Sequence, residues 1–83
     1  MTIYVGNISY KTNEDGLTTL FSQYGIVTSA KIIRDKYKGR SKGYGFVEME
    51  NEDEGDNAVN NLNGKELDGR SLKVNKALPK KEY

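Results

Sequence analysis

The stretch Lys42-Gly43-Tyr44-Gly45-Phe46-Val47-Glu48-Met49 decides how this chain folds. Residues 43–49 read as a strand, and side chains alternate between the two faces of a strand. Val47 and Met49 therefore share a face with Gly43 and Gly45, while Tyr44, Phe46 and Glu48 take the other. The aliphatic face is the one that must be covered. The aromatic pair then points away from the core.

Working outward, the same split recurs. Thr2 to Gly6 is β-rich, with Ile3 and Val5 on one face and Tyr4 on the other. Asn13, ahead of Glu14 and Asp15, is a good helix cap. Leu17, Leu20, Phe21 and Tyr24 then fall at i, i+3, i+4 and i+7, one apolar stripe of a helix that Gly25 is expected to end. Residues 26–34 read as a second strand, with Val27, Ala30 and Ile32 facing inward across a bulge. Residues 35–42 form a polar, basic loop with Gly39 at its turn. Asn51 caps a second helix carrying Glu52, Asp53 and Glu54 in its first turn and Gly55, Ala58, Val59 and Leu62 on its stripe. Gly55 is unfavourable inside a helix by about 1 kcal/mol relative to alanine, so a close approach to the sheet is expected there. Asn63-Gly64 ends this helix. Leu67 to Gly69 is a turn, and Ser71 to Asn75 is a fourth strand with Leu72 and Val74 inward.

The order is βαββαβ, an α+β domain. Two such units interleave into a four-stranded antiparallel sheet, strand order 4-1-3-2, with both helices on one face. The core is expected from Ile3, Val5, Val47, Met49, Leu72 and Val74 of the sheet, closed by Leu17, Leu20, Phe21, Ala58, Val59 and Leu62 of the helices. Tyr4, Tyr44 and Phe46 are left together on the open face, flanked by Lys31, Ile33, Lys42, Lys73 and Asn75. A contiguous exposed aromatic patch marks a binding surface. The eight residues after Asn75 are too few and too polar to cover it. Aromatic platforms rimmed by cations suit single-stranded nucleic acid, because bases stack on the rings and cations neutralise phosphates.

Composition narrows the alternatives. The chain has 83 residues, 35% hydrophobic and 30% charged, which fits one domain with a modest core. It has no cysteine and no histidine, so disulfides, thiolate metal sites, the commonest general base and the commonest zinc ligand are excluded. No apolar run is long enough for a membrane span or a secretory signal. The net charge of +1 hides a strong pattern. Residues 26–46 carry six bases against Asp35, and residues 69–83 carry five against Glu82, while residues 47–68 carry eight acids against Lys65. A molecule with one basic surface fits a polyanionic partner better than its net charge implies.

Residues 42–49 resemble the octamer of the RNA recognition motif family, in which Lys/Arg, Gly, an aromatic, Gly/Ala, Phe, Val, any residue and an aromatic follow one another. Ile3-Tyr4-Val5-Gly6-Asn7-Ile8 is similar to the family's hexamer, and the runs at residues 20–25 and 58–64 are similar to its helix ends. The resemblance spans residues 2–77, departing from the family at Met49, where an aromatic is usual. It implies a ferredoxin-like βαββαβ sandwich, a domain at residues 1–77 and a short basic tail at 78–83. It also implies a single-stranded RNA-binding protein acting in post-transcriptional regulation or RNA chaperoning, with single-stranded DNA a weaker ligand. Tyr4 and Phe46 would each stack a base, Tyr44 would pack against ribose, and Lys42 would contact a phosphate. Asn75, Lys76 and Ala77 would reach base edges as the chain leaves the fourth strand. Lys31, Ile33, Arg40 and Lys73 complete the expected contact set. The chain most resembles small free-standing proteins of bacterial type, with an excised domain of a larger eukaryotic protein, then nuclear, as the alternative; it is expected to be cytoplasmic and monomeric, with no cofactor, no metal, no membrane and no enzymatic activity.

Weaker signals resolve against chemistry. Gly43-Tyr44-Gly45 lacks the third glycine of a dinucleotide fingerprint and lies inside a strand. Gly39-Arg40-Ser41-Lys42 lacks Walker spacing, and its cations suit an electrostatic clamp on RNA. Glu52, Asp53, Glu54 and Asp56 complement a helix dipole rather than ligate a metal. Asn7-Ile8-Ser9 matches a glycosylation sequon by chance. Tyr10, Tyr24 and Tyr37 are weaker candidates than the sheet aromatics. A protein partner on the helical face is the competing function. Family variants of that kind carry Arg-x-Phe before the last strand, where this chain reads Arg70-Ser71-Leu72.

Overall fold

Both helices begin at an asparagine, because a helix start leaves backbone N–H groups without partners. The computed structural model describes residues 1–34 and 41–77, apart from the side chains of Ser41 and Lys42. The Gly39 turn, Tyr37, Arg40 and the tail at 78–83 lie outside the described residues. Asn13 accepts from the Gly16 N–H at 2.9 Å and opens α1 (Glu14–Ser22). Asn51 accepts from the Glu54 N–H at 2.9 Å and opens α2 (Glu52–Leu62). Acids in both first turns complement the positive ends of the helix dipoles.

The strands are β1 (Thr2–Gly6), β2 (Val27–Arg34), β3 (Ser41–Met49), β4 (Glu66–Leu67), β5 (Arg70–Ser71) and β6 (Lys73–Lys76). The main sheet runs β2-β3-β1-β6, antiparallel throughout, with β1 and β3 at its centre as expected. Both helices lie on one face, α1 against β2 and α2 against β6, and both reach β3. Ala30 and Ile32 share the inward face by alternation, and the register shift between Val27 and Ser29 is the irregularity that brings Val27 onto that face with them.

Three local expectations need correction. The last strand does not begin at Ser71. Residues 66–71 form a separate hairpin, closed by Asp68 and Gly69 at φ 51° and 86°, the positive values that a two-residue primed turn requires. Leu72 breaks the continuity, because its N–H donates to the Lys65 carbonyl at 2.9 Å and its own carbonyl accepts from the Gly64 N–H at 2.8 Å. The first helix stops at Ser22, with Gln23 still in right-handed conformation rather than at a left-handed Gly25. Gly25 is needed for space instead: a Cβ there would collide with the Glu54 side chain. Tyr24 therefore follows the helix and packs half-buried against the core. Gly55 is close-packed as expected, though its neighbour is the thioether of Met1 rather than the sheet itself.

The core matches the alternation argument. Ile3, Val5, Val47, Met49, Leu72 and Val74 meet Leu17, Leu20, Phe21, Ala58 and Leu62, joined by Ile8 and Ile32. Val59 is half-buried at the rim.

One ion pair ties α1 to the sheet edge. Arg34 Nη2 donates to Glu14 Oε1 at 2.5 Å, and the Ile32 N–H reaches Oε2 at 3.4 Å. Burial opposes the Glu14 charge, but backbone N–H groups and Arg34 together outweigh it and hold the carboxyl below its ordinary value. A depressed folded-state pKa gives stability that is present above the unfolded value and lost as pH falls through the folded one. Glu14→Gln is therefore expected to lower stability slightly at pH 7 and to converge with the unaltered protein below about pH 4.5, which flattens the acid limb. The effect is small because both side chains are partly exposed. Urea unfolding at a series of pH values checks it, and an unchanged acid limb refutes it.

Candidate nucleic-acid interface

Register turns the outward alternation into rows. Lys31 of β2 lies opposite Phe46 of β3, Phe46 opposite Tyr4 of β1, and Tyr4 opposite Asn75 of β6. These four form one row across the open face. The neighbouring row is Tyr44, Gly6 and Lys73. On the other side lie Ser29, Glu48 and Thr2, with the Thr2 hydroxyl donating to Glu48 Oε1.

The three rings form one half-buried cluster. Tyr4 and Tyr44 lie 6.2 Å apart with planes at 29°, and Phe46 meets Tyr4 edge-on at 5.9 Å and Tyr44 edge-on at 6.4 Å. Such contacts fix ring orientation before any ligand arrives. Two glycines make the arrangement possible. Tyr4 leans over Gly6, where a Cβ would sit 2.6 Å from its hydroxyl oxygen. Gly45 lets β2 approach, since a Cβ there would run into the Lys31 carbonyl. The glycine–aromatic alternation of β3 thus serves both faces at once.

Lys31, Lys73 and Asn75 are exposed on this face, and Ile33 follows Lys31 half-buried. Among the described residues, the cationic side chains held in ion pairs are Arg34 and Lys76. Lys31 and Lys73 keep their charge uncompensated within that set. Lys76 is not brought to the platform. It lies opposite Ile3, on the helix-covered side, with its ammonium 2.8 Å from Glu52 Oε2 and 4.0 Å from Asp56 Oδ1. The hydrogen bond from Lys76 holds the Glu52 carboxyl below its ordinary value and raises the lysine above its own. Ala77 is half-buried, and its N–H donates to the Thr2 carbonyl at 2.9 Å. Lys42 lies in β3, but its side chain, like all of Arg40, is outside the described residues.

A cleft of about 380 Å³ opens beside the platform, walled by Tyr4, Tyr44 and Lys73 together with Asn7, Tyr10 and Arg70. The last three were not among the expected contact residues. Arg70 Nε and Nη2 donate to Asn7 Oδ1 at 3.1 and 2.6 Å, a link across 63 positions with no local sequence signal.

The family model of the RNA recognition motif matches residues 3–73. RbpE of Nostoc sp. is 51% identical over 82 residues, covering 99% of this chain and 83% of its own. The crystal structure of RNA Binding Protein PG1 superposes with a TM-score of 0.92 at 50% identity, covering 99% of each chain. The structure of the Rna15 RRM with bound RNA (GU) gives a TM-score of 0.82 at 38% identity, covering 92% of this chain and 81% of that one. On alternation, register and this match alike, the chain belongs to the RNA recognition motif family.

Proposed function

We propose that this protein binds single-stranded RNA on the open face of its sheet, through a domain spanning residues 1–77 with a short basic tail at 78–83. The carrying observation is the row Lys31, Phe46, Tyr4 and Asn75, with Tyr44 and Lys73 beside it. Tyr4 and Phe46 each stack a base, for roughly 1–3 kcal/mol per base. Tyr44 packs against sugar, Asn75 offers both donor and acceptor to a base edge, and Lys31 and Lys73 neutralise phosphates. Contacts to the 2′-hydroxyl favour RNA over single-stranded DNA. The similarity to proteins named as RNA-binding, and to one solved with bound RNA, supports the reading. A cytoplasmic role in post-transcriptional control or RNA chaperoning, as a monomer without catalytic activity, fits such a module.

An amide NMR titration with a short randomised single-stranded RNA pool tests it. Shifts are expected at Tyr4, Lys31, Tyr44, Phe46, Lys73 and Asn75. A folded protein with shifts confined to the helical face overturns the proposal in favour of a protein-binding module. Lys31→Ala is further expected to weaken binding to all sequences alike and to lower the salt slope by about 0.7, the share of one phosphate on a single strand. Affinities measured across a salt series check this.

A further inference from the structure

The open face has unlike ends. Glu48 stands at one, in the row beyond Phe46 and Tyr4. At the other, Tyr4 and Tyr44 pass directly into the wall of the 380 Å³ cleft, where Arg70 and Lys73 supply positive charge. The Met1 ammonium lies 3.8 Å from the Glu48 carboxylate and offsets its charge, so a polyanion lying across the platform is drawn toward the cleft by Arg70 and Lys73.

Arg70 is held without being neutralised. Asn7 takes a left-handed conformation at φ 57°. Its Nδ2 donates to the Ser71 carbonyl at 2.7 Å, and its Oδ1 accepts both bonds from Arg70. A guanidinium has five N–H donors, so this neutral clamp leaves three for a ligand. Arg34 is the contrast, since its holder is the Glu14 carboxylate. Among the described residues no carboxylate oxygen lies within 4.0 Å of Arg70 or Lys73. A fixed, uncompensated fork of this kind matches the geometry of a phosphate.

Tyr10 supplies the other half. Its backbone is pinned on both sides. The Ile8 N–H donates to the Gly43 carbonyl at 2.8 Å, and the Thr12 N–H donates to the Ser9 carbonyl at 3.0 Å. The Thr12 hydroxyl ties the turn to Asp68 Oδ2 at 2.6 Å. Ile8, Ser9 and Thr12 are buried, yet Tyr10 between them is 67% exposed. A tyrosine on an ordered turn offers a stacking surface with little entropy left to lose.

We propose that this cleft is a nucleotide subsite beyond the aromatic platform. Arg70 and Lys73 take the phosphate, and Tyr10 stacks the base, of the nucleotide next to those on Tyr4 and Phe46. The subsite rests on the RNA-binding reading above and extends the strand's footprint toward β5. The cleft's volume lies in the range typical of small-ligand sites.

The test compares a dinucleotide, which fills only the platform, with a tetranucleotide of uridylates, both titrated into the full chain and followed by NMR. Tyr10→Ala and Arg70→Gln are each expected to weaken the tetranucleotide at least about fivefold and to leave the dinucleotide unchanged. Arg70→Gln is also expected to lower the tetranucleotide's salt slope by about 0.7, whereas Tyr10→Ala leaves that slope alone. The amide spectrum of each variant confirms the fold. Tetranucleotide affinities unchanged in both variants overturn the subsite, as do equal losses at both lengths. Phe46→Ala separates the two readings: it is expected to weaken both oligonucleotides. No effect on either would overturn the platform and the subsite with it.

Discussion

Phe46→Ala is expected to lower the affinity for single-stranded RNA at least about tenfold while leaving the domain folded. Loss of one stacked base removes roughly 1–3 kcal/mol, and about 1.4 kcal/mol is a factor of ten. The upper half of that range applies here, because Phe46 also orients its neighbours, meeting Tyr4 at 5.9 Å and Tyr44 at 6.4 Å. Removing it frees both rings to turn away from the bases. The stability change is modest, since the ring is half-buried on a face without a covering layer. Its two edge contacts contribute about 0.5–1.5 kcal/mol each at most. Fluorescence anisotropy with a labelled oligonucleotide, alongside a thermal melt, separates the two effects. A cooperative melt with affinity within threefold of the unaltered protein would sink base stacking at this position.

The second large effect comes from the other phenylalanine. Phe21 of α1 is fully buried, and a Phe→Ala change in a core typically loses 3–5 kcal/mol. A chain of this size has a total stability of roughly 4–12 kcal/mol at the usual per-residue values. Phe21→Ala is therefore expected to lower the melting midpoint by about 15 °C or more. RNA affinity per folded molecule is expected to hold, because the ring lies on the far side of the sheet from Tyr4 and Phe46. Urea unfolding and binding at low temperature measure both. A loss below about 1 kcal/mol would show that Phe21 is not packed as described.

The contrast between these two rings was readable from their positions. Phe46 alternates with Val47, and Phe21 sits at helical spacing from Leu17. Binary patterning alone assigns one outward and one inward. The helix starts were equally legible, since Asn13 and Asn51 precede acidic first turns. Other features depend on pairings that no local pattern encodes. Leu72 alternates with Val74 as a strand residue should, so nothing nearby reveals that its backbone turns back to Gly64 and Lys65. Resemblance puts Lys76 among the RNA contacts, while the register opposite Ile3 sends it toward Glu52, 24 positions away. The cleft was hidden for the same reason. Its Arg70 is fixed by Asn7 across almost the whole chain, and Tyr10 gains meaning only once its turn is pinned to Asp68.

The bond from the Ala77 N–H to the Thr2 carbonyl also has a mechanical side. β1 and β6 are antiparallel neighbours, so the chain comes into the sheet and leaves it at the same corner. Tension applied between Thr2 and Ala77 acts across the strands, along the direction of their hydrogen bonds. Those bonds then carry the load one after another, as in a zipper, rather than all together, as in shear. Any machine drawing the polypeptide from this corner meets the weakest loading geometry the sheet has, and the first strand it peels away is the edge strand β6, which carries Lys73 and Asn75.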